Sequence, residues 1–110
     1  MSGGVKHPST PEEFDALIAD NAKVVVDFSA PWCGPCKMVG PVFAEMAGEF
    51  PDIVFVGVNI DDEEFEEHDL ISSVGSIPLF HIYKDGAKIG EMLGAKVDKL
   101  RELIEKLNSA

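Results

Sequence analysis

What this chain lacks bounds what it can be. Basic residues are scarce: 9 Lys and Arg stand against 20 Asp and Glu, for a formal net charge of -11. Such a chain repels phosphate backbones and anionic headgroups, so neither nucleic acid nor a membrane surface is expected among its partners. Long apolar runs are missing, and nothing approaches the roughly 20 residues of a membrane span. Met1-Ser2-Gly3-Gly4 leads into polar residues with no secretory-type apolar stretch, so a reducing, cytoplasmic setting is expected. Cysteine is nearly absent, with 2 in 110 residues. That excludes a multi-disulfide framework and argues against structural zinc, which takes four N or S ligands. His7, His68 and His81 show no ligand spacing with the cysteines and are expected to be ordinary surface or half-buried residues. With no third thiol, a covalent dimer through an accessory cysteine is excluded, and a monomer is expected.

Both cysteines lie in Trp32-Cys33-Gly34-Pro35-Cys36. A disulfide across so short a loop removes little chain entropy and makes a poor staple. The pair is better explained as a dithiol that opens and closes. The rest of the composition, 45% apolar and 26% charged, suits one globular domain over residues 1–110, with residues 1–4 expected to be flexible.

Hydrophobic periodicity sets the order of elements. A short strand is predicted near residues 5–7. Thr10-Pro11-Glu12-Glu13 has the form of a capping box, with proline at the first helical position. Phe14, Leu17 and Ile18 follow at helical spacing. Residues 23–28 form an apolar, β-branched run fit for a buried central strand. Residues 33–50 read as a helix through Val39, Val42, Phe43, Met46 and Phe50, with a kink expected at Pro41. Residues 53–58 read as a second buried strand, and 63–73 as a weaker helix. Residues 79–83 and 87–93 flank Asp85-Gly86 as a hairpin. Val97, Leu100, Leu103, Ile104 and Leu107 mark a closing amphipathic helix. The order β-α-β-α-β-α-β-β-α implies an α/β fold, with a mixed central sheet of about five strands and four helices covering both faces.

The dithiol follows a strand and opens a helix. Free N–H groups and the helix dipole there favour the thiolate, which is the nucleophile. Cys36 sits one turn further in on the same face, within reach of Cys33. Cys33 at the tip is therefore expected to be exposed and to attack. Cys36 is expected to be shielded and to resolve the mixed disulfide. Gly34 leaves room for a substrate backbone, and Pro35 stiffens the first turn. Trp32 either shields the nucleophile with a flat apolar surface or belongs to the core. Asp27 follows Val24-Val25-Val26 in the central strand. Burial there raises the pKa of a carboxyl, and the strand leads straight to the dithiol, so Asp27 is read as proton acceptor and donor for Cys36 rather than as an exposed strand-end acid. The acidic run Asp61, Asp62, Glu63, Glu64, Glu66, Glu67 and Asp69 is read as a solvated loop and helix start rather than a partner-selecting patch.

Asp27-Phe28-Ser29-Ala30-Pro31-Trp32-Cys33-Gly34-Pro35-Cys36-Lys37 resembles the active-site segment of the thioredoxin family. Pro41, Ile77-Pro78, Lys84-Asp85-Gly86 and Gly94-Ala95 extend the resemblance over roughly residues 10–107. Ser29 looks like the eukaryotic cytosolic members. The resemblance implies the thioredoxin fold, Cys33 as attacking thiol, Cys36 as resolving thiol and Asp27 as the buried acid serving it. It implies a cis Pro78 facing the dithiol, with Ile77 offering backbone hydrogen bonds to an extended substrate. Trp32, Gly34, Pro35, Ile77, Pro78, Gly94 and Ala95 then form an apolar docking surface. It further implies a protein-disulfide reductase with no bound cofactor. Electrons would come from NADPH through thioredoxin reductase and pass to disulfide-containing targets such as peroxiredoxins.

Some positions depart from the family pattern. Leu79 stands where Thr is usual and is expected to alter substrate or partner fit. Gly57 falls where many members carry Lys or Glu near the buried acid, so Asp27 is expected to respond mainly to burial. Lys restored at 57 is expected to lower the pH midpoint of Cys36 chemistry. Other roles for the dithiol domain are a redox-gated interaction module, whose binding survives loss of both cysteines, and a glutathione-coupled reductase, which the Gly-Pro pair argues against.

Overall fold

The computed structural model describes residues 4–110. Of the stretch expected to be flexible, residues 1–3 lie outside the described residues. Five strands and four α-helices alternate as β1 (Val5–Lys6), α1 (Pro11–Asp20), β2 (Lys23–Ser29), α2 (Gly34–Glu49), β3 (Val54–Asn59), α3 (Asp69–Ser72), β4 (Leu79–Lys84), β5 (Ala87–Leu93) and α4 (Val97–Asn108). The sheet order is β1-β3-β2-β4-β5. The β1-β3 and β3-β2 pairs are parallel, whereas β2-β4 and β4-β5 are antiparallel.

β2 is central because its sequence suits burial on both faces. Alternate side chains leave a strand on opposite sides. Val25 enters a core with Phe43 and Met46 of α2 and Leu100 and Ile104 of α4. Val24, Val26 and Phe28 enter a second core with Phe14 of α1 and Ile71 of α3. Asp27 falls on the α2 side of the sheet, in step with Val25.

Local signals place the helix ends. Thr10 caps α1 through its side-chain oxygen, which accepts from Glu13 N at 3.2 Å. The Glu13 carboxylate accepts from Ser9 N at 3.2 Å rather than from Thr10 N, so the capping box reaches one residue further back than expected. Pro41 lies inside α2. The β4-β5 hairpin turns on Asp85 and Gly86, both at positive φ (51° and 85°), the geometry of a two-residue type I′ turn.

The single helix expected over 63–73 is instead two pieces, a 3₁₀ turn at Glu63–Phe65 and the short α3. Asp62 Oδ1 accepts from Glu64 N at 3.0 Å, and His68 Nδ1 accepts from Ile71 N at 3.3 Å, so each piece has its own cap. Phe65 and Ile71 are both buried against the second core, six positions apart, which one regular helix would not achieve on a single face. A continuous helix would also stack like charges of Glu63, Glu64, Glu66 and Glu67 at spacings of three and four.

Candidate active site

The dithiol sits where β2 runs out and α2 begins. Cys33 is the N-cap of α2, and its Sγ accepts from Cys36 N at 3.2 Å. Cys33 N donates to Ala30 O at 3.2 Å, which folds the connecting turn back on itself. The two residues are joined as a disulfide, with Cα atoms 5.3 Å apart.

Cys33 is not exposed as the sequence reading expected. It is 4% accessible and Cys36 is 7%. The capping geometry explains this: the Cys33 side chain turns inward over the first turn of α2, towards Cys36. The two sulfurs differ in what they face. Cys36, and not Cys33, lines a cavity of about 420 Å³ shared with Asp27, His7, Gly57, Ser29 and Asn59.

Asp27 is buried, with 7% accessibility, and its Oδ1 has no hydrogen-bond partner among the described residues. Burial pushes its pKa from an ordinary 3.8 to about 7. Desolvation is the whole cause, as Gly57 led one to expect. The space above Gly57 is nevertheless filled. A Cβ there would lie 2.9 Å from His7 Cε1 and 3.1 Å from Nδ1. A Lys at 57 would first have to displace the His7 ring.

Trp32 is 68% exposed, so it is not a core residue. Its Nε1 donates to Asp61 Oδ2, which holds the indole against the loop after β3. Sequence reasoning placed Asp61 only in a solvated run; no local signal links residues 29 positions apart. Gly34 and Pro35 are exposed beside Trp32. The Ile77–Pro78 peptide is cis. Phe28 pairs with Leu79, and Leu79 with Leu93, so the ends of β2, β4 and β5 carry the dithiol loop, Ile77-Pro78 and Gly94-Ala95 to one end of the sheet. Gly94 N donates to Pro78 O at 2.8 Å and ties two of these segments directly. Pro78 itself is buried, whereas Ile77, Gly94 and Ala95 are half-buried. Leu79 packs on the second core, so its departure from the family pattern bears on packing.

The histidines are less alike than expected. His7 is exposed and His68 half-buried, but His81 is buried at 3%. β4 is covered on both faces, and the His81 ring meets Phe28 edge-on and lies 3.1 Å from Tyr83 Oη through Nδ1. Among the described residues, no group of three or more His, Cys, Asp or Glu is placed to hold a metal. No helix among them is long and apolar enough to cross a membrane.

A redox-active cysteine pair at a helix N-terminus, over a buried carboxyl and on a mixed βαβ sheet, defines a thiol–disulfide oxidoreductase. A family model described as Thioredoxin matches residues 5–106. Thioredoxin-3 of Dictyostelium discoideum is 41% identical over 101 residues, covering 92% of this chain and 94% of its own. The solved thioredoxin of Plasmodium falciparum superposes with a TM-score of 0.84 at 39% identity, covering 93% and 98% of the two chains. A structure from work on thiol resolution in yeast mitochondrial 1-Cys peroxiredoxin, via glutathione/thioredoxin systems, superposes with a TM-score of 0.84 at 34% identity, covering 97% and 100%. The chain belongs to the thioredoxin family.

Proposed function

We propose that the protein is a general protein-disulfide reductase, recharged by NADPH-dependent thioredoxin reductase. One observation carries the assignment of roles: Cys36 shares a cavity with the unpaired carboxyl of Asp27, and Cys33 does not. In the reduced protein the Cys33 thiolate attacks a target disulfide, and one target sulfur leaves as a thiolate. Cys36 gives its proton to the Asp27 carboxylate and attacks Cys33 Sγ. The second target sulfur leaves, the Cys33–Cys36 bond forms, and two electrons have passed to the target. A carboxyl titrating near 7 takes up and releases this proton at neutral pH. Trp32, Gly34, Pro35, Ile77, Gly94 and Ala95 supply the docking surface around the buried Pro78, with the exposed Trp32 as its largest apolar element.

Disulfide-bonded proteins, peroxiredoxins included, are the proposed targets. The structural neighbour from the peroxiredoxin system supports that class. The proposed setting is the cytosol, where a dithiol stays reduced. No cofactor is required on this chain.

The test is NADPH oxidation with thioredoxin reductase, a disulfide-bonded protein substrate and catalytic amounts of this protein. Rapid turnover is expected, abolished in Cys33→Ser, with Cys36→Ser accumulating mixed disulfides. Absence of turnover from a dithiol that still oxidises and reduces chemically would overturn the reading in favour of a glutathione-linked, oxidant or binding role.

A further inference from the structure

The proton taken by Asp27 must leave again, and the carboxyl is buried. Sheet register shows what it faces. Asp27 on β2 is level with Gly57 on β3. Val5 and Lys6 of β1 are level with Phe55 and Val56. His7 follows directly on β1, and its ring stands where a side chain at 57 would be. Strands in register carry level residues on the same face. A side chain at 57 would share a face with Asp27, so the His7 ring lies over the glycine that neighbours Asp27 on that face.

The cavity they share is lined by three titratable groups: Cys36, Asp27 and His7. Its other polar side chains, Ser29 and Asn59, do not titrate but can hold water. On its far side His7 borders a surface groove with Lys6 and, from α1, Glu13 and Asp20. His7 therefore touches both the Asp27 cavity and solvent.

We propose that His7 is the proton-exchange partner of Asp27, carrying the Cys36 proton between the buried carboxyl and bulk water. The inference rests on the role given to Asp27 above. As Cys36 attacks Cys33, its proton passes to the Asp27 carboxylate, then through cavity water to the His7 imidazole, and from the imidazolium to solvent. An imidazole can take a proton on one ring nitrogen and release one from the other, which suits a relay between the carboxyl and solvent. His7 touches neither sulfur; it is a positioning residue acting through Asp27. Gly57 is the residue that makes room for it.

The experiment follows the resolving step alone. The full-length reduced protein is mixed with an aromatic disulfide whose released thiolate absorbs visible light, and release of the second thiolate is followed by stopped flow from pH 5 to 9. His7→Ala is expected to slow this phase about tenfold near pH 7, less than the roughly 100-fold or more of a lost direct base. Added imidazole is expected to restore the rate, and the rate–pH profile is expected to lose one inflection. Gly57→Ala, which crowds the ring out while leaving His7 in the chain, is expected to slow the phase similarly. An unchanged rate in His7→Ala, or a slowing that imidazole does not relieve, overturns the proposal if Asp27→Asn is slow. An Asp27→Asn variant as fast as the parent overturns the role of Asp27 as well.

Discussion

At the scale of the residue, Asp27 links stability to chemistry. Its pKa rises from 3.8 to about 7 on folding, because a buried carboxylate loses hydration that a buried acid hardly needs. The fold therefore favours the protonated form. That contribution is fully present below pH 3.8 and is lost as pH rises through about 7. The two values differ by an amount worth about 4 kcal/mol. Asp27→Asn is expected to unfold at higher urea than the parent at pH 8, by up to about 4 kcal/mol, with the gap closing towards pH 4. Equal stability of the two oxidised proteins at pH 8 would contradict the burial argument. His81 works in the opposite sense. Burial, then Lys88, lowers its pKa, so its contribution is present above the ordinary 6.5 and is lost as pH falls through its folded value. The run Val24-Val25-Val26-Asp27-Phe28 made the burial of Asp27 legible in sequence. The burial of His81 was not read from sequence, although Leu79-Phe80-His81-Ile82-Tyr83 is apolar on both sides of it, because a lone histidine carries no local signal of the layer that covers it.

At the scale of the element, the caps and turns follow from adjacent residues. Thr10-Pro11 starts α1, and Asp85-Gly86 closes the hairpin. Thr10→Ala removes the acceptor for Glu13 N and is expected to cost about 1 kcal/mol, a fall in melting temperature of roughly 4 °C. Calorimetry checks this, and an unchanged transition would show that water replaces the cap without loss. The split of residues 63–73 into two pieces is not legible in sequence, for a definite reason. Its apolar residues are few and its acids many, so helical periodicity was weak. The break was decided by burial of both Phe65 and Ile71 in the second core. α2 illustrates the opposite case: Val39, Phe43 and Met46 name its buried face, and Pro41 does not end it because that face is held by the sheet.

At the scale of the whole molecule, the fold gathers loops from three strand ends around one sulfur pair. The exposed Trp32, Met38, Leu93 and Val97 leave apolar surface on a chain of net charge -11. Like charge opposes self-association, while the apolar residues favour transient contact with partners. Sedimentation of the reduced protein is therefore expected to show the mass of one chain across a wide concentration range at low salt. A concentration-dependent rise in mass that Trp32→Ala removes would instead identify this surface as a dimer contact. The bidentate Arg101–Glu49 pair, at 3.1 Å through both nitrogens, ties α4 to α2 at the exposed edge, where solvent screens it.

Chemistry and element order were determined by the sequence alone. The cysteine spacing, the strand before it and the helix after it are local, and hydrophobic periodicity reports which faces are buried. The tertiary structure decided what those residues meet. The grouping of His7, Gly57 and Asp27 joins the residue after β1 to β3 and β2 and exists only once those strands are paired. The bond from Trp32 to Asp61 and the burial of His81 likewise depend on how elements pack. The physical reason is common to all of them. Solvent exposure and hydrogen-bond partners are properties of packed layers, and packing brings together residues whose separation along the chain carries no trace of their proximity.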